Sequence, residues 1–351
     1  FHHCIADGIA LIRVMLSLTD TSPEGDLNEP APAPVPPVDS KRSLLGPIKP
    51  LANFTRATIG GATKLGSLML RETRQTIEDP TRAIETAKAA SIISAASAAV
   101  LTRLLVIPAD RPSVFQGELG TSKRVIWSEP VRLDEVKRIG KTLGGTVNDV
   151  LIAALTGALR EYMLLRDDAP DGGDLRAMVP VNLRPLDRAI ELGNQFGLVY
   201  LSLPVSIADP QQRLYEVKRR MDILKSSPEA IVAYQLLNAL GVIPGDLATR
   251  ATDLFASKAS AVLTNVPGPQ QTLYFAGVAL RRIMFWVPQS GDIGLGLSII
   301  SYDGEVALGI VVDEKLVDDP EIIIEEFSRE FEVLGRLADQ RLAFPAADTA
   351  G

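Results

Sequence analysis

The chain has 351 residues, 46% of them hydrophobic and 5% aromatic, and a formal net charge of −7. That apolar content is ample for a packed core, and the acidic balance argues against non-specific nucleic-acid binding. The one cysteine, Cys4, excludes an intramolecular disulfide and fits a reducing compartment. The two histidines of the chain, His2 and His3, stand side by side at its amino end. The spacing His3-x-x-x-Asp7, followed by Gly8, suits a histidine base with a nearby carboxylate on a sharp turn. A chance pair at a helix start and a leftover tag are the alternatives. A tag would be longer and would not run into Asp7-Gly8 and an amphipathic segment. Cys4 is a nucleophile by type, with a histidine neighbour only in sequence. The opening on Phe1, inside what reads as the end of a strand, leads us to expect a preceding amino-terminal segment.

After Gly8, the positions Ile9, Leu11, Ile12, Met15, Leu16 and Leu18 form the stripe of a short buried helix, ended by residues 20–22. Residues 29–37 are rich in Pro and Ala without apolar periodicity, the composition of a stiff linker. Residues 44–105 read as helical, broken at Gly60-Gly61 and Pro80. Within them, 89–102 carries no charge but is only 14 residues long. A spanning helix needs roughly 20 strongly apolar residues, so this stretch packs on the core or lies on a membrane surface. Lys41, Arg42, Lys49, Arg56, Lys64, Arg71 and Arg74 make 41–74 locally cationic, as a solvated face or as a contact for anionic headgroups.

A second folded unit is expected from Ser113 onward. Residues 123–127 alternate as a strand, and 131–143 is amphipathic and ends at Gly144-Gly145, a helix C-cap. Thr146 is a candidate N-cap for a helix over 147–166. Residues 177–182 and 198–205 read as strands, and 209–224 as a helix with Leu214, Val217, Met221 and Leu224 on one face. Residues 230–255 are largely helical with a break at Pro244-Gly245. Residues 261–266, 278–287, 295–302 and 305–312 read as strands, the last two joined by a tight Asp303-Gly304 hairpin. A closing helix spans 320–341. There is no Rossmann or P-loop glycine pattern and no internal repeat.

Several stretches place polar groups at element ends. Asp149 near a helix N-terminus complements the macrodipole, and Asn148 beside it can satisfy free N–H groups. Thr264 and Asn265 bring a hydroxyl and an amide to a strand end that turns at Pro267-Gly268. Val179-Pro180-Val181-Asn182-Leu183-Arg184 and Gly193-Asn194-Gln195-Phe196-Gly197 make pocket edges or plain turns. The Gly294-x-Gly296 pair is a strand feature, not a nucleotide loop.

In order, these blocks resemble those of one family. His2-His3-x-x-x-Asp7-Gly8 is similar to the HHxxxDG signature of the bacterial wax ester synthase/diacylglycerol acyltransferases. These belong to the larger CoA-dependent acyltransferases, with chloramphenicol acetyltransferases and peptide-synthetase condensation domains. The run from Thr146 through Asn148-Asp149 to Arg160 resembles the second signature block, and the stretches at 179–184 and 193–197 its VPVxLR and GNxxG blocks. Residues 264–269 resemble its SNVPGP block, with Thr264 in place of Ser. The likeness covers 1–18 and most of 113–342, carries little signal over 19–112, and lacks the upstream motifs of the family.

The resemblance implies an α/β chain of α+β type, a chloramphenicol acetyltransferase-like two-domain sandwich with an incomplete amino-terminal domain. Residues 1–20 would end that domain, 21–112 form a linker and helical connector, 113–342 the carboxy-terminal domain, and 343–351 a tail. It implies transfer of a fatty acyl group from acyl-CoA to diacylglycerol or a long-chain alcohol. His3 would be the base, His2 would shape the turn, and Asp7 would fix the loop through an arginine. Gly8, Thr264, Asn265, Asn148 and Asp149 would support the oxyanion and the site. No bound cofactor and no metal are expected, acyl-CoA being a substrate. The expected location is cytoplasmic and peripheral, at the inner face of the plasma membrane or on lipid droplets, with no nucleic-acid partner. Two alternatives are another acyltransferase of the superfamily, acting on a glycolipid or carrier-bound substrate, and an inactive or lipid-binding fragment.

Overall fold

The computed structural model describes residues 12, 14–25, 102, 104, 106–183, 195–240, 245–289 and 291–343. The chain is mixed α/β. Strands β1 (Lys123–Trp127) and β2 (Val131–Arg132) lead into helices α1 (Leu133–Leu143) and α2 (Val147–Leu165). Strands β3 (Leu175–Asn182) and β4 (Phe196–Leu203) follow, then helices α3 (Pro210–Ser226), α4 (Glu229–Leu240) and α5 (Gly245–Ala256). The carboxy-terminal part holds β5 (Ala261–Pro267), the small strands β6 (Tyr274–Phe275) and β7 (Val278–Ala279), β8 (Leu295–Tyr302), β9 (Glu305–Asp313) and α6 (Glu321–Ala343).

The main sheet has the order β1-β9-β8-β5-β3-β4, with β2 also paired to β9. Its centre, β3-β5-β8, is parallel, and its flanks are antiparallel. The central strands β5 and β8 carry the near-continuous apolar runs that a buried parallel sheet requires. Alternation then sorts each strand by face. Ala261, Leu263, Leu295, Leu297, Ile299, Leu308 and Ile310 join the main core with residues of α1, α2, α3 and α6. Val262 and Met178 point the other way, into a smaller cluster with Ala256, Val287 and Ile293.

Helix α2 begins as its sequence directs. The Thr146 hydroxyl accepts from the Asp149 N–H at 3.3 Å, and the Asp149 carboxylate accepts from the Thr146 N–H at 2.8 Å, a capping box. Helix α1 ends at Gly144 in the left-handed region, φ 82°. Asp303 and Gly304 both take positive φ, the hairpin geometry expected between β8 and β9. At the opposite edge, α4 starts directly on β4. A Cβ at Gly197 would collide with the Ala230 carbonyl, so only glycine admits this approach, and it covers an edge that would otherwise be open.

Three expectations need correction. Within the expected strand 278–287 only Val278–Ala279 is a strand. The rest lies across the sheet as a strap. The Val287 N–H donates to Ser298 Oγ at 2.9 Å, and Trp286 Nε1 donates to the Ile126 carbonyl at 3.3 Å. Its apolar run, residues 283–287, is half-buried to buried against the sheet rather than paired within it. The short helix after Gly8 is present at residues 14–16, but Met15 and Leu18 are exposed rather than buried. This segment meets the described body through a bridge between Asp20 and Tyr274, which leaves those side chains in solvent. Residue 131, expected in a helix, instead opens β2.

Asp313 closes β9 and ties down the chain ahead of β1. Its fully buried carboxylate accepts from the Gly120 and Lys315 N–H groups at 3.0 Å each and from Lys123 Nζ at 2.7 Å. Burial pushes this carboxyl up, but Lys123 and the two N–H groups outweigh it and hold it below the ordinary 3.8. A depressed carboxyl stabilises the fold above its unfolded value, and the contribution is lost as pH falls through the folded one. We expect Asp313→Asn to flatten the acid-side loss of stability below about pH 4, measured by urea denaturation across a pH series. An unchanged acid limb would remove Asp313 from this role.

Candidate active site

His2, His3, Asp7 and Gly8 lie outside the described residues, as do Arg184, Gly193 and Asn194. The remaining expected site residues lie in the first turn of α2 and on β5. Asn148, in the first turn of α2, is buried, and its Oδ1 accepts from Asn265 Nδ2 on β5 at 2.6 Å. Those residues are 117 positions apart, and the fold makes them neighbours. Asp149 is fully buried within the capping box. Its Oδ1 has no hydrogen-bond partner among the described residues. Asn148 and Asp149 thus hold the start of α2, and Asn148 also fixes the rotamer of Asn265.

Strand alternation puts Asn265 on the helix-covered face, with Ala261 and Leu263, and Thr264 on the opposite face, with Val262. The pairing of β5 with β8 sets Thr264 beside Ser298. The strand ends at a turn where the Gly268 N–H donates to the Ser301 carbonyl at 2.8 Å. A Cβ at 268 would strike that same oxygen, which is why the turn carries glycine.

One feature of the site was not expected from the sequence. Strands β3 and β5 pair only at Ala177–Ala261 and Met178–Val262, yet run on to Asn182 and Pro267. Pro180, two residues past the last pair, lacks an N–H for a ladder, whereas Pro267 keeps its place beside Ser301 of β8. The sheet therefore parts into a V at the level of Thr264 and Asn265, and α2 stands at its helix-covered face through Asn148. The signal in the sequence was Pro180, in a strand whose apolar run reads as central.

Two concave surfaces lie on the same face of the sheet as Thr264. Toward β8 and β9 lies an open groove of about 320 Å³, lined by residues that include Trp127, Arg281, Arg282, Met284, Trp286 and Tyr302. The two indole rings meet edge to face at 6.0 Å. Arg282 pairs with Glu129 at 2.6 Å in an exposed contact that contributes little to stability. Toward β3 and β4 lies a narrower apolar pocket of about 70 Å³ under α4 and α5. Among the described residues, no group of three or more His, Cys, Asp or Glu side chains comes together to hold a metal.

Comparison with known proteins adds to this geometry. Residues 1–151 match the model of the wax ester synthase/diacylglycerol acyltransferase catalytic domain, and 192–335 that of the family's C-terminal domain. The chain is 27% identical over 331 residues to a protein of Mycobacterium tuberculosis named as a diacylglycerol O-acyltransferase, covering 91% of this chain and 60% of that one. A second such protein of the same species is 36% identical over 236 residues, covering 64% and 50%. The chain thus spans a little over half the length of these relatives. The wax ester synthase/diacylglycerol acyltransferase from Marinobacter aquaeolei VT8 shares the fold, with a TM-score of 0.56 at 19% identity over 96% of this chain and 66% of that one.

Asn265→Ala leaves the buried Asn148 carbonyl without this donor. We expect a loss of about 1–3 kcal/mol in denaturant unfolding. The double variant with Asn148→Ala should lose less than the sum of the single losses. Strict additivity would show that the hydrogen bond does not couple the two blocks.

Proposed function

The chain belongs to the wax ester synthase/diacylglycerol acyltransferase family, and on that premise we propose that it moves a fatty acyl group from acyl-CoA to an alcohol. The acceptor is diacylglycerol or a long-chain alcohol, and the product is triacylglycerol or a wax ester. The observation that carries this reading is the Asn148–Asn265 hydrogen bond. It joins residues of two separate signature blocks at the opening of the V, in a chain matched by both family models.

In this reading the histidine motif of residues 1–20 acts against groups presented by 113–342. His3 takes the proton of the acceptor hydroxyl, and the oxygen attacks the thioester carbonyl. The tetrahedral oxyanion collapses, the C–S bond breaks, and the CoA thiolate leaves as the thiol, taking from His3 the proton that came from the acceptor. A donor aimed at the oxyanion contributes roughly 3–4 kcal/mol. We assign that donation to the strand end that carries Thr264 and Asn265, on opposite faces of β5, and the shaping of the histidine loop to Gly8 and Asp7. Acyl-CoA enters as a substrate, and no resident cofactor takes part.

We further propose that the protein works at a membrane surface on the cytoplasmic side or on lipid droplets, where its apolar acceptors are found. Among the described residues no single helix is long and apolar enough to cross a membrane. The bent pair α1 and α2 reaches the required length and composition only jointly, and α2 is core. The open groove with Trp127 and Trp286 supports surface contact, since indole rings favour the membrane–water interface. The cationic stretch 41–74 lies outside the described residues.

Two experiments test these readings. With radiolabelled acyl-CoA and either diacylglycerol or hexadecanol, His3→Ala should lose roughly 100- to 10,000-fold in rate, and His2→Ala less. Equal rates for His3→Ala and the parent would refute the base assignment. Binding of both substrates without turnover would favour a lipid-binding role. The second experiment uses Trp127 and Trp286, the only tryptophans in the chain. Brominated lipids in anionic vesicles should quench their emission at low salt, and high salt should restore it. Emission unchanged with vesicles of every composition would refute membrane contact through this groove.

A further inference from the structure

Tyr302 ends β8 on the same sheet face as Ser298 and Thr264. Its hydroxyl stands inside the ladder of the small hairpin β6-β7. Leu273 and Leu280 flank that hairpin, one step outside the Tyr274–Ala279 pair. One bond of their rung is direct, the Leu280 N–H donating to the Leu273 carbonyl at 2.8 Å. The other is split by Tyr302. The Leu273 N–H donates to its Oη at 2.8 Å, and Oη donates to the Leu280 carbonyl at 2.7 Å. A buried hydroxyl on β8 thus completes the first rung of the hairpin and roots it in the main sheet.

The hairpin has little else to hold it. Its strands are two residues long, and Phe275 and Val278 are exposed. An isolated hairpin is marginal in water. Thr272 adds one exposed bond to Asp303 at 2.6 Å. The free side of β6 carries the amino-terminal segment, since Tyr274 and Asp20 exchange two backbone bonds of 2.8 Å. At the turn, Ala276 and Gly277 take positive φ, and a Cβ at Gly277 would lie 3.1 Å from the Pro23 carbonyl. Among the described residues, the Asp20–Tyr274 pair supplies the only hydrogen bonds between 14–25 and the body from 106 onward.

We propose that Tyr302 is a positioning residue for acyl transfer, because its hydroxyl fixes the hairpin that carries the segment following the histidine motif. The proposal rests on the acyl-transfer reading for what that motif does. The Gly268 N–H donates to the Ser301 carbonyl, so the end of β5 and the root of the hairpin share one anchor on β8. A motif carried by that root keeps its place relative to Thr264 and Asn265. Without the hydroxyl, the Leu273 N–H and the Leu280 carbonyl are free to bond directly. The hairpin then keeps its rung and loses its tie to β8. Stability changes little, while placement is lost. A misplacement of 1 Å can cost about 100-fold in rate.

Tyr302→Phe removes only the hydroxyl. Its folding is checked by circular dichroism and melting temperature, and transfer is measured with palmitoyl-CoA and hexadecanol. We expect kcat to fall at least about tenfold, with KM for both substrates unchanged. A second readout needs no turnover. Cys4, the one cysteine, takes a thiol-reactive fluorescent acceptor, and Trp127 and Trp286 are the donors. We expect the donor–acceptor distances, read from donor lifetimes, to spread more widely in Tyr302→Phe than in the parent. Gly277→Ala disturbs the same seat from its other end, against Pro23, and should change kcat and the distances in the same way. It carries the test if Tyr302→Phe does not fold. Unchanged kcat or unchanged distances in a folded Tyr302→Phe overturn the proposal, as does a parallel change in kcat and KM. Unchanged distances in Gly277→Ala overturn it too. Wider distances in variants of a parent that transfers no acyl group support the placement of the segment by Tyr302 and refute the acyl-transfer reading instead.

Discussion

Burial of α2 is the constraint on which the rest of the structure depends. Fifteen of its residues, from Asn148 to Met163, are buried, so it has no solvent stripe and must be wrapped. The sheet takes one side, and α1, α3 and α6 take the others. At its middle, Gly157 leaves room for the buried ion pair of Arg213 on α3 with Glu330 on α6, where any Cβ would collide with both. Breaking such a pair by removing one partner leaves an uncompensated charge in the core, about 3–5 kcal/mol. That pair and α2's apolar faces together fix the register of three helices against one another. The N-terminus of α2 is then held in place relative to β5, which is what sets Asn148 against Asn265.

The candidate site follows from that placement. The hydrogen-bonded asparagines belong to a rigid helix start and a central strand, elements that position a group better than loops do. Thr264 inherits its direction from the same strand by alternation. The surfaces beside it differ in chemistry, one apolar and narrow, the other open and bordered by arginines.

Much of this was legible in the sequence because it is local. The Thr146–Asp149 capping box, the left-handed Gly144 and the Asp303-Gly304 turn depend on residues within a few positions of one another. The apolar runs of β5 and β8 were enough to mark them as strands. Misreadings arose where one pattern serves two geometries. The apolar run at 283–287 suits a strand within a sheet and a strap resting on one, so composition alone could not tell the two apart. The stripe at 9–18 said which residues could be buried, not that anything would cover Met15 and Leu18. The Asn148–Asn265 contact spans 117 positions, and no periodicity encodes it. The family blocks named both residues without showing that they touch. Pro180 was visible, but the parting of β3 from β5 needed the register of their neighbours.

That parting has a mechanical consequence. In an intact sheet, widening the gap between two strands means breaking ladder bonds along their whole length. Here the β4-β3 leaf and the β5-β8-β9-β1 leaf are joined side by side at two residue pairs, near one end. They behave as two boards on a short hinge, with α2 lying across the back. Small rotations about Ala177 and Met178 open or close the far end while every ladder within each leaf stays whole. The sheet can thus be compliant at the V and stiff everywhere else.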